Sequence, residues 1–397
     1  MHYRKFKADY LFTGESLMPG TNVLITDADE KIINIVHEGD AGEAVETFEG
    51  TLSPGFINTH CHLELSHLKD IIAEKTGLIP FVFKIVSERH FVHDEILLAI
   101  EKAEYEMWQN GIVAVGDICN NALTISQKIK RNLRYYNFIE TSGWNPQIAA
   151  LRFEKSKTVM EDFAKKGLRA VVVPHAPYSV SEKLWEQMIP SFRGETVTIH
   201  NQETADEDPF FLEGKGKFIQ MYEMMEIDNS FYRPQKKRSV QSYFDKFSTA
   251  ASVILVHNTF TMQEDLEFIK EHTIKGQLIS LCLCPNANLY IENTLPPVDL
   301  FLKNNVNITL GTDSLASNHQ LSILEEIKSI LKKFPEIKTE TLLKWATQNG
   351  ARALQMEEEL GSFEKGKKPG VILIQNTPEG KITAGSKIKN LCVRENS

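Results

Sequence analysis

The chain has 397 residues, 42% hydrophobic and 24% charged, a balance typical of a folded globular protein and unlike that of a disordered one. A formal charge of −9 argues against a nucleic-acid partner, which needs a basic surface, and no apolar run is long enough to span a bilayer, so no membrane partner is expected. Five scattered cysteines do not make a disulfide framework, and the opening MHYRKFKADYLFTG lacks the apolar core of a signal peptide; both point to a cytoplasmic protein.

The first predicted elements lie in residues 1 to about 51, where NVLITDADEKIINIVHEG reads as strand, polar turn and strand. Residues from about 361 to 397 repeat that logic in GVILIQNTPEGKITAGSKIKNLCV. The two ends are expected to pair into one small β-sandwich domain (1–51 and 361–397) flanking a central domain over 52–360. That central domain opens with TLSPGFINTHCH, in which His60 and His62 stand one residue apart. In a strand such residues point to the same side, so two imidazoles aim at one point, an arrangement suited to holding a metal ion.

Seven further apolar, β-rich runs follow, separated by segments long enough for helices: GIVAVGDIC, LRYYNFIET, LRAVVVPHAPYS, ETVTIHNQET, ASVILVHNT, LISLCLCPNA and VNITLGTDS. Near-continuous apolar runs suit strands buried on both faces, and eight alternating with helices predict an α/β fold, a (β/α)8 TIM barrel. Cys282 and Cys284 read as buried strand residues rather than thiolate ligands, since no second pair accompanies them. His60, His62, Asp117, Glu140, His175, His200, His257 and Asp313 all fall at the carboxyl ends of their runs, the ends that share the active face of a parallel barrel. Two connections are long. The second, from Ala205 to about Thr249, carries DPFFLEGKGKFIQMYEMMEIDNSFYRPQKKR, which reads either as a lid or as an extra helix on the barrel rim.

In order along the chain, PGFINTHCHLE, TIHNQET, VHNT and LGTDSLASN resemble the motifs of the metal-dependent amidohydrolase superfamily, in its deaminase and chlorohydrolase-like branch. The resemblance covers essentially the whole chain. It implies one divalent metal held by His60, His62, His200 and Asp313. Members with two metals commonly carry a bridging lysine at the end of the fourth strand, where this chain has VVVPHAPYS and His175. Zinc suits nitrogen and carboxylate ligands, and iron is compatible with the same set. Glu203, in the family's His-x-x-Glu, would protonate the substrate's ring nitrogen and shuttle protons; its plainer reading is a helix-start carboxylate. Asp313 would accept a proton from the attacking water, and His257 would orient that water.

VPHAPYSVS is similar to the PHAPYTVS of adenosine-type deaminases, which makes His175 the candidate contact to the heterocycle, against a ring satisfied by loop carbonyls. Glu64 and Glu88, after the first barrel strand, are candidate acceptors for ribose hydroxyls, against solvated charges. Asn288 or Asn286 is a candidate substrate contact or a turn former, and Ser314 and Asn318 stand as supports beside Asp313. HLELSHLK followed by GLIPFVFKIVSER is similar to the aminodeoxyfutalosine deaminase subgroup over that one loop, whereas HNQETADEDPFF departs from nearer deaminases in the pocket. The expected function is mononuclear, metal-dependent hydrolytic deamination of a purine-like heterocycle or nucleoside, of the 6-amino-6-deoxyfutalosine or adenosine type. Hydrolysis of a cyclic amide or a halogenated ring by the same chemistry, or a non-catalytic scaffold, are the alternatives. A homodimer is compatible with the sequence.

Overall fold

The structure, a computed structural model, describes residues 3–88 and 90–392. The N-terminal strands are β1 (Arg4–Phe12), β2 (Leu17–Pro19), β3 (Asn22–Thr26), β4 (Ile32–His37) and β5 (Glu46–Pro54). The eight runs of the centre follow as β6 (Phe56–Cys61), β7 (Ile112–Cys119), β8 (Arg134–Thr141), β9 (Ala170–Pro174), β10 (Thr196–Asn201), β11 (Ser252–His257), β12 (Leu278–Leu283) and β13 (Asn307–Leu310). The chain ends with β14 (Val371–Gln375) and β15 (Lys387–Asn390).

The central strands form two four-stranded parallel sheets, ordered β6-β7-β8-β9 and β10-β11-β12-β13. β10 and β11 are buried at every position, as expected of β-branched runs covered on both faces. Each fully buried Val, Leu or Ile contributes about 1.5–3 kcal/mol by leaving water. The register keeps the carboxyl ends level: Cys61 is opposite Asp117, Thr141 opposite Pro174, and Asn201 opposite His257. Backbone bonds also cross between the two sheets. The His200 N–H donates to the His175 carbonyl at 2.9 Å, and the Thr312 and Asp313 N–H groups donate to the His60 carbonyl at 3.1 Å. Helices fill the connections. Ile323–Lys333 is an example: Ile323, Leu324, Ile327 and Ile330 are buried along one stripe, with Glu325 in the first turn and Lys332 and Lys333 in the last.

The chain ends meet in one seven-stranded sheet, ordered β15-β14-β5-β1-β3-β4 with β2 on β1. Phe6, Leu24, Leu52, Phe363 and Leu373 share an apolar cluster there. The expected sandwich is thus seen as a single sheet drawn from both ends of the chain. The run TLSPGFINTHCH is divided: residues 51–54 pair with β1 and β14, and Phe56–Cys61 pairs with β7. Gly55 makes the switch, where a Cβ would lie 2.3 Å from Val113 Cγ1. The five cysteines are free, and no helix among the described residues is long and apolar enough to cross a membrane.

The excursion after β10 is packed, with helices Glu207–Glu213 and Lys217–Met224 burying Phe210, Phe218 and Tyr222. Arg238, the last residue of the basic RPQKKR stretch, bonds Asp265 through Nε at 2.7 Å and Asp208 at 2.8 Å. Its charge is spent on an internal network.

Candidate active site

The level strand ends bring four imidazoles together. His60 lies 4.9 Å from both His62 and His200, ring centroid to centroid, and His200 lies 5.2 Å from His257. Asp313 Oδ1 is 3.6 Å from His60 Nε2 and 3.4 Å from His62 Nε2. Gly311 permits the approach of β13, since a Cβ there would sit 2.8 Å from Cys282 Sγ and 2.9 Å from His60 Cβ. Asp313 and His257 hold φ values of 57° and 73°, left-handed conformations that cost a non-glycine residue about 1–3 kcal/mol each and concentrate at functional sites.

The donor set fits a divalent cation. Ligand atoms of His60, His62 and His200 lie within 4.8 Å of one another. Both ring nitrogens of His60, and Nε2 of His200, are buried without a hydrogen-bond partner among the described residues, whereas buried polar groups are ordinarily paired. Burial keeps these rings neutral, the form that ligates: it lowers the pKa of His60 to about 4 and of His200 to about 3, and lowers those of His62 and His257. Burial by itself would raise Asp313, but His60, His62 and His257 outweigh it and hold the carboxyl well below its usual range. Ser317 Oγ donates to Asp313 Oδ2 at 2.6 Å.

A hydrogen-bond relay sets the tautomers. Asn288 Nδ2 donates to Thr259 Oγ1, leaving Asn288 Oδ1 as acceptor 3.0 Å from His257 Nδ1. The proton of His257 therefore sits on Nδ1, and its Nε2 accepts from His200 Nδ1 at 3.0 Å. His200 is left with its lone pair on Nε2, toward the cluster. Asn288 acts behind His257 and is not among the residues that line the cavity. Asn286 likewise turns away, donating from its backbone and side chain to Glu326, and Asn318 donates to Glu326 and to the Thr312 carbonyl. Ser314 does line the cavity.

Glu203 is four residues ahead of the helix Glu207–Glu213, so it is no helix-start carboxylate. It is buried, with Oε1 3.6 Å from His257 Nε2 and Oε2 3.9 Å from His200 Nδ1. Burial first, then the carboxylates of Asp313, Glu292 and Glu140, push its pKa well above the usual range, which equips it to carry a proton. Glu207 accepts its backbone N–H at 2.9 Å.

Of these groups, His62, His200, Glu203 and Asp313 line a cavity of about 410 Å³, a size that suits a small organic ligand. His175 lines it, with Nδ1 2.9 Å from Ser179 Oγ. Glu64 lines it as well, its two oxygens accepting the Asn120 N–H at 3.1 and 3.0 Å. Asn120 Nδ2 donates to Glu140 Oε2 at 3.1 Å, and Glu140 Oε1 lies 3.4 Å from His200 Nε2. Glu88 is not brought to the cavity; it pairs with Lys84 at 3.3 Å on the half-exposed face of helix Leu78–Glu88. That helix contributes Leu78, Phe81, Val82 and Ile85 to the outer wall instead, facing Met221, Tyr222 and Met225 from the excursion after β10. Sequence reasoning gave no role to Glu140, Asn120 or Trp144 in this lining. Glu140 carried a signal, a carboxylate closing an apolar run, but Asn120 and Trp144 stand in loops that only the fold folds inward.

Residues 51–391 match the amidohydrolase family. The chain is 26% identical over 390 residues to a 5-methylthioadenosine/S-adenosylhomocysteine deaminase of Caldanaerobacter subterraneus subsp. tengcongensis, covering 90% of this chain and 84% of the relative. It is 27% identical over 357 residues to an aminodeoxyfutalosine deaminase of Nitratiruptor, covering 85% and 82%. Among solved structures, Helicobacter pylori aminofutalosine deaminase in complex with methylthio-coformycin superposes with a TM-score of 0.78 at 23% identity, covering 96% of this chain and 93% of the other.

Proposed function

The chain belongs to the amidohydrolase family, and from that premise we propose that it deaminates a 6-aminopurine nucleoside with a single divalent metal, zinc before iron. It is a hydrolase of carbon–nitrogen bonds in the deaminase branch. The observation that carries the reading is the pairing of inward ring nitrogens on His60 and His200, without hydrogen-bond partners among the described residues, with Glu203, a buried carboxyl whose pKa burial pushes up, at the end of the cavity that His200 and Glu203 line. We read the two parallel sheets as one closed (β/α)8 barrel, with residues 1–51 and 361–397 as a composite β-domain. The backbone bonds that cross between the sheets support this.

His60, His62, His200 and Asp313 would hold the cation, which when bound supplies a Lewis acid that makes hydroxide available from water at neutral pH. Asp313, kept ionised by its histidine neighbours, accepts the proton of the attacking water; His257, whose two ring nitrogens are taken up by Asn288 and His200, fixes the His200 tautomer rather than orienting that water. Glu203 gives its proton to the ring nitrogen beside the carbon under attack; the proton that Asp313 took from water goes to the leaving amine, which departs as ammonia, and the proton of the new hydroxyl returns to Glu203 as the carbonyl forms. His175 contacts the heterocycle. Glu64 and Glu140 offer acceptors for sugar hydroxyls, and the apolar outer wall suits an apolar 5′ substituent, such as the methylthio group of the 5-methylthioadenosine in one relative's name. A small metabolite of this kind fits a cytoplasmic enzyme.

The test is metal analysis of protein purified without added metal, paired with ammonia release on adenosine, 5′-methylthioadenosine, aminodeoxyfutalosine, guanine and cyclic ureides. About one metal per chain and ammonia from an adenine nucleoside are expected. Metal with no ammonia from any nucleoside, but turnover of a cyclic amide, would overturn the substrate class.

A further inference from the structure

Behind the metal cluster lies an ion pair that touches no part of the cavity. Asp117 in β7 and Lys128, at the end of the short helix Ile125–Lys128, both have side chains with no solvent exposure. The three ammonium protons of Lys128 all have acceptors: Asp117 Oδ2, Asn137 Oδ1 at 2.7 Å and Cys119 Sγ at 3.1 Å. The rings of Tyr135 and Phe163 lie 4.9 and 5.1 Å from its nitrogen. A buried pair of this kind is weak evidence for stability, because desolvating two ions offsets most of their attraction. Replacing it with apolar residues would serve the core as well, so its other bonds indicate what it does.

The second oxygen of Asp117 supplies that indication. Oδ1 accepts the backbone N–H of Leu63 at 2.8 Å, and Leu63 directly follows His62. One residue further on, the Glu64 carboxylate is held by the Asn120 N–H. The carboxyl end of β7 thus grips the chain at two successive residues as it leaves β6. Lys128 fixes the carboxylate that makes the first grip.

We propose that Asp117, anchored by Lys128, is a positioning residue for the metal cluster: its Oδ1 fixes the His62–Leu63 backbone and so aims the His62 ring at His60, His200 and Asp313. This rests on the reading of His62 as a metal ligand. Groups that orient ligands from behind typically change metal affinity 10–100-fold when removed.

Two double variants separate positioning from packing. Asp117→Asn/Lys128→Met removes both charges and keeps an oxygen for the Leu63 N–H; Asp117→Leu/Lys128→Met removes both charges and the oxygen. Zinc affinity is read by competition with a chromophoric chelator, alongside Tm of the metal-free proteins. The asparagine pair is expected to bind zinc within about 3-fold of the unmodified chain, and the leucine pair about 10-fold or more weaker at a similar Tm. Equal zinc affinity in the two variants would overturn the proposal. Should the leucine pair fail to fold, Asp117→Ala/Lys128→Met takes its place with the same expected and overturning results. An unmodified chain that binds no zinc would sink the ligand reading itself, a failure distinct from equal affinities in the variants.

Discussion

Replacing Glu203 with Gln tests the chemistry most directly, because it preserves shape and removes the titratable carboxyl. The side chain is buried, with His257 Nε2 at 3.6 Å and His200 Nδ1 at 3.9 Å, so an isosteric amide fits the same space. The bond that holds this loop, from the Glu203 N–H to Glu207, comes from the backbone and survives the change. A positioned general acid is worth about 10²–10⁴ in rate, which is about 2.7–5.4 kcal/mol of barrier at 1.36 kcal/mol per decade. The expected result is therefore a kcat lowered by two to four decades, with metal content unchanged. His62→Ala, by contrast, should lose the metal. Steady-state ammonia release with metal analysis on the same preparations reads both. Glu203→Gln within about 10-fold of the parent's turnover, metal retained, would refute the proton-transfer role; loss of metal in Glu203→Gln would make the residue a ligand.

Asn288→Leu removes the acceptor that keeps the proton of His257 on Nδ1, so His200 loses its fixed tautomer; zinc affinity by chelator competition should weaken about 10–100-fold with little change in Tm. Glu140→Gln replaces a cavity-facing acceptor bonded by Asn120, and should raise KM for a ribonucleoside more than for its deoxy analogues while metal content holds; equal effects on all of them would remove Glu140 from hydroxyl recognition. Glu326, buried and bonded by Asn286 and Asn318, has its pKa raised from 4.5 to about 8, chiefly by burial. The folded chain then keeps a proton that the unfolded chain has released, so this group's contribution is full below pH 4.5 and is lost as pH rises toward 8. At about 1.4 kcal/mol per pH unit, the loss is of order 5 kcal/mol. Denaturant melts at pH 5 and pH 8 should show Glu326→Gln gaining stability relative to the parent as pH rises; a pH-independent difference would refute it.

The sequence by itself determined the strand runs, their alternation with helices, and the strand-end placement of His60, His62, His200, His257 and Asp313. These are local matters: a β-branched run covered on both faces must be apolar, and a polar group must wait for the strand's end. Tertiary structure decided what depends on distance between elements. It divided the run at Gly55, where the chain passes so close to Val113 and the Pro369 carbonyl that a Cβ would clash. It took Glu88 out of the cavity, because a helical position one turn beyond Lys84 finds a cation and solvent on that face. Asn288 was moved from substrate to relay, since the helix Pro285–Glu292 that follows β12 places its side-chain oxygen against His257 rather than in the cavity. Glu140 and Asn120 joined the wall, and Asp117 was set beneath His62, only once register had laid β7 and β8 beside β6. Spacing along a chain records which side a residue faces; which partner it meets there is settled by strands far apart in sequence.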